Sequence, residues 1–232
     1  MEQQQLFEQL DARIAKYDLL CHPFYQAWAA GELTRDDLWE YAQHYYPHVK
    51  AFPTYLAELA MRLEDGELRS AILANMADEK GLEDAFGNPA PEHAELWLDF
   101  AEGMGGRREV LRQALPAINE LTAFFHRMAS EGTPEEALAA FYAYESQVPR
   151  VAKEKARGLR DMYGADQKTC AYFTLHTTAD VYHSHVWRKQ LEKRLAEHPE
   201  ATEKALAAAE NAAKALWRAL DGIEESRSAA AA

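Results

Sequence analysis

One stretch of the sequence combines histidine and aspartate at helical spacing. In LHTTADVYHSHVW, residues 175–187, His176, Asp180 and His183 lie at positions i, i+4 and i+7. At ~100° per residue, these side chains span about 60° of a helix surface, while His185 points elsewhere. Two imidazoles and a carboxylate on one face are typical of a metal site. A solvated polar stripe is the alternative, since both residue types are common at protein surfaces.

Three residues are too few for a dinuclear centre, so other helices must supply further ligands. Glu145 interrupts the apolar run ALAAFYAYESQVP, where a lone carboxylate is costly unless it is paired or bound to metal. Glu79 in NMADEKG and His93 in HAELWLDF are further candidates. Taken alone, the charged neighbours of Glu79 favour a solvated position, and a histidine that opens a helix is usually unremarkable.

An aromatic segment is the other feature that could carry chemistry. Tyr41, Tyr45 and Tyr46 share one predicted helix, and Tyr25 lies just upstream in HPFYQAW. Aromatic residues at helical spacing are more often core than cofactor site. Tyrosine is, however, readily oxidised, so these rings would be reactive beside an oxygen-activating metal.

The composition indicates an all-α protein that holds these residues in place. The 232 residues include 43 Ala and 25 Leu but only 6 Val and 4 Ile, which favours helix over strand. Short predicted loops and the absence of internal repeats favour one compact bundle of seven or eight helices. We expect a single helical domain over residues 1–225 and a disordered tail over 226–232, where the sequence becomes SRSAAAA.

Capping and breaking residues predict where the helices begin and end. Thr34 with Asp37, and Thr133 with Pro134 and Glu136, are helix starts. Gly31, Gly66, Gly105 and Gly164 end helices or form turns. Pro47 and Pro53 should kink or break the aromatic helix, Pro116 should interrupt a helix over 107–129, and Pro149 should bend a helix over 133–163. Asp166 should cap a helix that runs to Glu197 and carries the His and Asp triplet, and a last helix should span 200–220.

Charge and cysteine content exclude several function classes. The formal net charge of −13 argues against nucleic acid or an anionic membrane as a partner, since both require a basic surface. No apolar run approaches the ~18 residues of a membrane span. Two cysteines cannot form a disulfide framework, and the polar N-terminus does not resemble a signal peptide. We therefore expect a cytoplasmic protein.

Seven motifs between about residues 15 and 195 resemble those of one helical family. They are HPFY, YAxxYY, FPxYL, DEKG, HxxLW, YExQxP and HxxxDxxH. They are similar to those of the haem-oxygenase-like enzymes, which include pyrroloquinoline-quinone synthase and the TenA thiaminases. Within this group, the chain most resembles the Chlamydia protein associating with death domains and its bacterial relatives, which are dimetal oxidases.

This resemblance implies a metal site and a reaction. Its ligands would be Glu79, His93, Glu145, His176, Asp180 and His183, holding a dinuclear Fe or mixed Mn/Fe centre that uses O2 and an external reductant. Such a mixed nitrogen and oxygen set suits Fe or Mn, and the histidines must be neutral to bind, so binding should weaken in acid. The implied product is para-aminobenzoate for folate synthesis.

In that group the protein is its own substrate, because an internal tyrosine ring is excised and aminated. The matching tyrosine is Tyr25, and the matching amine donor is Lys155, with Lys153 as an alternative. Tyr41 and Tyr144 match further pocket tyrosines that could assist radical transfer or replace Tyr25. The segment between Glu79 and His93 is longer than in the family, so His93 is matched through HxxLW.

Two other functions remain open at this point. A cofactorless enzyme similar to TenA or the quinone synthase would bind a small heterocycle, and a non-enzymatic interaction module would need no site. The presence of all six residues that match the ligands of the family favours the oxidase. We expect a homodimer and an electron donor of unknown identity. Bound Fe or Mn near stoichiometry would discriminate between these functions.

Overall fold

The regular structure of the described residues is helical throughout. The computed structural model describes residues 3–82, 90–108 and 114–230, and these hold no strand. The α-helices are α1 (Gln3–Ala15), α2 (Pro23–Ala30), α3 (Arg35–Met61), α4 (Glu67–Glu79), α5 (His93–Gly103), α6 (Pro116–Ser130), α7 (Pro134–Glu145), α8 (Val148–Tyr163), α9 (Ala171–His176), α10 (Ala179–Glu197) and α11 (Thr202–Ala230). Short 3-10 helices cover Leu19–Cys21 and Pro199–Ala201. The all-α prediction is confirmed.

The predicted capping residues act where the sequence places them. The Thr34 side chain accepts a hydrogen bond from the Asp37 backbone, and Asp37 bonds back to the Thr34 backbone. Thr133 and Glu136 form the same reciprocal pair at the start of α7. Such caps satisfy backbone N–H groups that the first helical turn leaves unpaired. Gly31 ends α2 in the left-handed region, with φ of 74°.

The bundle has more helical segments than the seven or eight expected. The helix predicted over 133–163 is two helices, because the chain turns between Glu145 and Val148, where Pro149 opens α8. The helix predicted to run from Asp166 to Glu197 is also divided, at Thr177 and Thr178. The prediction of one helix face for His176, Asp180 and His183 was therefore wrong.

Two prolines lie inside a helix without breaking it. Pro47 and Pro53 lie inside α3, which is continuous from Arg35 to Met61. Each proline removes one backbone hydrogen bond from the helix. Burial of most of the aromatic residues of α3 in the core offsets that loss, so the helix does not break.

Some predicted features fall on residues that are not described. The loop GNPAP begins before residue 90, and part of the helix predicted over 107–129 lies at 109–113; the described part of that helix begins at Pro116. At the other end, α11 is helical to Ala230 and so covers most of the segment where a disordered tail was expected.

Helix packing brings the ends of several helices to one place in the core. α11 packs along α7 and α6, α3 contacts α4, α5 and α6, and α10 packs on α7.

Cys21 and Cys170 are both free thiols. In the described part of the chain, no helix combines the length and apolar character that crossing a membrane requires.

Candidate metal centre and tyrosine cluster

Six buried ligand-type side chains converge at helix ends. Glu79, Glu145 and His176 are the last residues of α4, α7 and α9, His93 is the first of α5, and Asp180 and His183 lie in the first turns of α10. None of the six is more than 6% exposed. The structure thus brings together all six candidate ligands that the sequence indicates, including Glu79, whose charged neighbours favoured solvent. His185 is exposed and lies outside the cluster.

The six side chains form two groups that share one carboxylate. Glu79, His93 and His176 offer donor atoms within 4.8 Å of one another, and so do Glu79, Glu145, Asp180 and His183. The Nδ1 of His93 lies 2.9 Å from Glu79 Oε2. The Nδ1 of His183 lies 3.4 Å from Asp180 Oδ1 and 4.0 Å from Glu145 Oε1. Glu79 is the one residue common to both groups, and each group offers enough donor atoms to hold a cation.

Unpaired buried atoms test whether a metal fits this cluster. The Nδ1 atoms of His93 and His183 are buried and lack a hydrogen-bond partner with suitable geometry. An orphaned buried polar atom is costly in a folded protein. Both atoms face carboxylate oxygens, and a cation between nitrogen and oxygen would satisfy each of them. The donor set of three imidazoles and three carboxylates therefore fits Fe or Mn.

Electrostatics in the cluster also favour a cation. Burial raises the pKa of Glu145 well above its usual value, and the negative charges of Asp180 and Glu79 add to this. Glu79 and Glu145 also occupy helix C-termini, where the helix dipole disfavours a negative charge. Burial lowers the pKa of His176 and keeps it neutral, the form that binds metal.

Neighbouring groups hold two of the ligands in orientation. The Nδ1 of His176 donates to the backbone carbonyl of Tyr172 at 2.7 Å, which leaves Nε2 for the cluster. Trp187 Nε1 donates to one oxygen of Glu145, and Asn75 Nδ2 donates to the other at 3.3 Å. Sequence reasoning missed these groups, although Tyr172 precedes His176, and Trp187 follows His183, by one helical turn.

A second buried cluster joins a lysine to two tyrosines. Lys155 on α8 donates to the hydroxyl of Tyr25 on α2 at 2.8 Å and to that of Tyr41 on α3 at 2.5 Å. The two hydroxyl oxygens are 3.1 Å apart. Burial lowers the pKa of Lys155 well below its usual value, which favours the neutral amine. Lys153 is exposed, so of these two lysines it is Lys155 that contacts Tyr25.

Aromatic rings enclose this amine. The Lys155 nitrogen lies 4.2 Å from the centroid of the Tyr25 ring, 4.6 Å from that of Tyr41 and 5.2 Å from that of Trp28. Burial raises the pKa of both tyrosines above their usual value. The two hydroxyls therefore stay protonated, and the cluster is buried away from solvent.

Further tyrosines connect the two clusters. The Tyr41 ring stacks on Tyr45 at 5.4 Å between centroids. Tyr144 interacts through its hydroxyl with the side chains of Tyr45 and Tyr172, and the Tyr172 ring stacks on His176 at 4.0 Å. The sequence indicated Tyr144 only through its family match, and Tyr45 resembled an ordinary core residue.

The space beside the ligands is small. A cavity of about 10 Å³, enough for about one water molecule, is lined by Glu79, Glu145 and Asp180 and by the rings of Tyr144 and Tyr172. Small-molecule sites typically enclose about 300–1,000 Å³. Among the residues that the structure describes, this cavity holds about one water molecule and is too small for an aromatic substrate.

Comparisons with known proteins match this architecture. A family model described as "Iron-containing redox enzyme" matches residues 39–217. The 4-aminobenzoate synthase of Chlamydia muridarum is 38% identical over 94% of this chain and 89% of that protein. The 4-aminobenzoate synthase of Nitrosomonas europaea is 37% identical over 94% of this chain and 90% of that protein.

A solved structure confirms the fold expected from the motifs. A domain of unknown function from Shewanella denitrificans, described as having a haem-oxygenase-like fold, aligns with a TM-score of 0.77. The match covers 98% of this chain and 94% of that chain at 18% sequence identity. At this identity the likeness concerns the fold alone.

Proposed function

Because this chain belongs to the family of iron-containing redox enzymes, we propose that it is an O2-dependent dimetal oxidase that makes 4-aminobenzoate (para-aminobenzoate) from its own Tyr25. The relatives named 4-aminobenzoate synthase support the product. The observation that carries the internal substrate is the contact between Lys155 and Tyr25, buried in the same core as the metal centre.

The six ligands would hold two Fe ions or one Mn and one Fe, which supply the O2 chemistry when bound. Glu79 belongs to both groups of candidate ligands, so it would serve the whole centre. Three carboxylates offset most of the charge of two divalent ions, leaving about one net positive charge. The buried histidines, of which His176 is kept neutral by burial, complete the set and help exclude water from the centre.

The tyrosine series gives the oxidation a route to Tyr25. Tyr172 lies against a ligand, and Tyr144, Tyr45 and Tyr41 follow in contact to Tyr25. Each phenol that is oxidised loses an electron and a proton, and the next phenol restores both. We propose that Tyr41 and Tyr144 act in this way, and that Tyr25 is the ring finally consumed.

Lys155 would supply the nitrogen of the product. Burial lowers its pKa, which favours the neutral amine. Its Nζ would bond to the ring carbon of Tyr25 that bears the hydroxyl, and the hydroxyl oxygen would leave as water. The Lys155 Cε–Nζ bond and the Tyr25 Cα–Cβ bond would then break in oxidations for which O2 is the oxidant. The aromatic enclosure fixes the amine at the Tyr25 hydroxyl, which converts the amination into a step between pre-positioned groups. Because the chain provides both ring and amine, each molecule would react once.

The small cavity supports this proposal over a site for an external heterocycle. With space for about one water molecule beside the ligands, the centre fits O2 but not an aromatic ring. The test is to load purified protein with Fe(II), or with Fe(II) and Mn(II), then add reductant and air without any aromatic compound. The proposal expects 4-aminobenzoate at no more than one molecule per chain. Metal-loaded protein that forms none without an added substrate would contradict it.

A further inference from the structure

The imidazole of His183 lies between the buried carboxylates of the proposed metal site and an aspartate at the protein surface. Its Nδ1 faces Asp180 and Glu145 inside the cluster and has no hydrogen-bond partner with suitable geometry. Its Nε2 lies 3.2 Å from Oδ2 of Asp78. The His183 side chain is 3% exposed, whereas that of Asp78 is 50% exposed. Asp78 therefore contacts the side of the ring that faces away from the ligands.

We propose that Asp78 is a positioning residue for the metal centre, acting through His183. This inference rests on the metal site proposed above. A carboxylate that accepts a hydrogen bond from Nε2–H selects the tautomer whose Nδ1 lone pair is free to bind metal. The same contact fixes the rotation of the ring, so Nδ1 stays directed at Asp180 and Glu145.

The sequence around Asp78 suits this role. Asp78 and Glu79 are neighbours at the end of α4, but their carboxylates lie on different sides of the His183 ring. Glu79 is buried within the ligand group, while Asp78 reaches across to α10 and meets His183 from outside. His176 shows the parallel arrangement, with the Tyr172 carbonyl in place of a carboxylate.

An ordinary surface ion pair is the competing explanation for this contact. Such pairs contribute little to stability, and they have no particular effect on metal binding. The chain contains a matched example: Glu67, also on α4, accepts a hydrogen bond from Gln190 at 3.0 Å and another from Lys193 at 3.2 Å, both on α10. Glu67 links the same two helices without touching a ligand, so it is the natural control.

The experiment compares the affinity of the full-length protein for Mn(II) and, without oxygen, for Fe(II). Asp78→Ala should weaken binding about 10- to 100-fold, the usual effect of removing such a partner, with little change in the melting temperature of the metal-free protein. Asp78→Asn keeps an oxygen that can accept the Nε2–H bond and should bind more tightly than Asp78→Ala. Glu67→Ala should bind like the wild type.

Two results would overturn the inference while leaving the metal site intact. One is an Asp78→Ala protein whose affinity stays within twofold of the wild type. The other is a loss of affinity in Glu67→Ala equal to that in Asp78→Ala, which would assign the effect to the contact between helices. A wild-type protein that binds neither ion would instead contradict the proposed function, and this inference with it.

Discussion

The side-chain nitrogen of Lys155 lies 2.8 Å from the hydroxyl oxygen of Tyr25, in a cage of aromatic rings. Burying a lysine without a carboxylate would be costly if the amine were charged. Burial lowers the pKa of Lys155, which favours the neutral amine and reduces that cost. This contact places a nucleophilic nitrogen on the ring that we propose is consumed.

The burial of Lys155 predicts how stability depends on pH. Its pKa is lowered in the folded chain, so between that lowered pKa and about pH 10 the unfolded chain holds a proton that the folded chain has lost. Stability from this group therefore rises with pH, by up to about 1.4 kcal/mol per unit. Lys155→Met has a similar volume and lacks this dependence, so it should unfold at higher denaturant than the wild type at pH 7.

The measurement is denaturant unfolding of both metal-free proteins at pH 7, 8 and 9. The advantage of Lys155→Met should shrink as the pH rises, since other titrating groups are common to both chains. A difference that stays constant over this range would show that Lys155 is charged in the folded protein.

The metal content of alanine variants should distinguish the two histidines of α10, of which His183 is buried and His185 is exposed. His183→Ala, Asp180→Ala and Glu145→Ala should each lose stoichiometric Fe or Mn, because each removes a ligand that its neighbours cannot replace. His185→Ala, at an exposed position on the same helix, should keep its metal. Metal analysis after anaerobic loading, with circular dichroism to verify the helices, checks this. Full occupancy in the first three variants would remove the ligand assignment.

The sequence predicts a candidate ligand well where the surrounding residues constrain it, and poorly where only tertiary packing buries it. Glu145 was identifiable because a carboxylate in an apolar run must be paired or bound. Glu79 alone looked solvated, since local charge does not report that α5 and α9 cover it. The break after His176 was also hidden, because Thr177 and Thr178, which divide α9 from α10, do not by themselves exclude a helix.

The choice between the two lysines shows a similar limit. Lys153 and Lys155 are two positions apart on α8, so they point to nearly opposite sides of the helix. Their spacing alone does not say which side is buried. The structure does, because Lys155 packs among aromatic rings while Lys153 is exposed.

The nitrogen source can be tested with these two lysines. Protein made with nitrogen-15-labelled lysine should yield labelled 4-aminobenzoate. Lys155→Arg should make none, because a guanidinium stays protonated and is a poor amine donor. Lys153→Arg is the matched control and should react normally. Unlabelled product from labelled protein would point to an external amine.

Tyr144 should be needed for oxidation but not for metal binding. Tyr144→Phe removes the hydroxyl that interacts with Tyr45 and Tyr172 and leaves the ligands in place. It should bind metal like the wild type and yield less product per chain. Tyr142→Phe, on the same helix, removes a hydroxyl that bonds Asp11 at 2.7 Å and should not affect the yield. Equal yields from both variants would exclude Tyr144 from the route.

The most direct test of the central claim is the mass of the peptide that contains Tyr25, before and after reaction. Trypsin should release residues 17–35, which include Tyr17 as an internal reference. After one turnover with Fe or Mn/Fe, reductant and air, the account predicts that this peptide loses the Tyr25 ring in the same amount as 4-aminobenzoate appears, while Tyr17 stays intact. Product formed with the Tyr25 side chain unchanged, or formed normally by Tyr25→Phe, would contradict it.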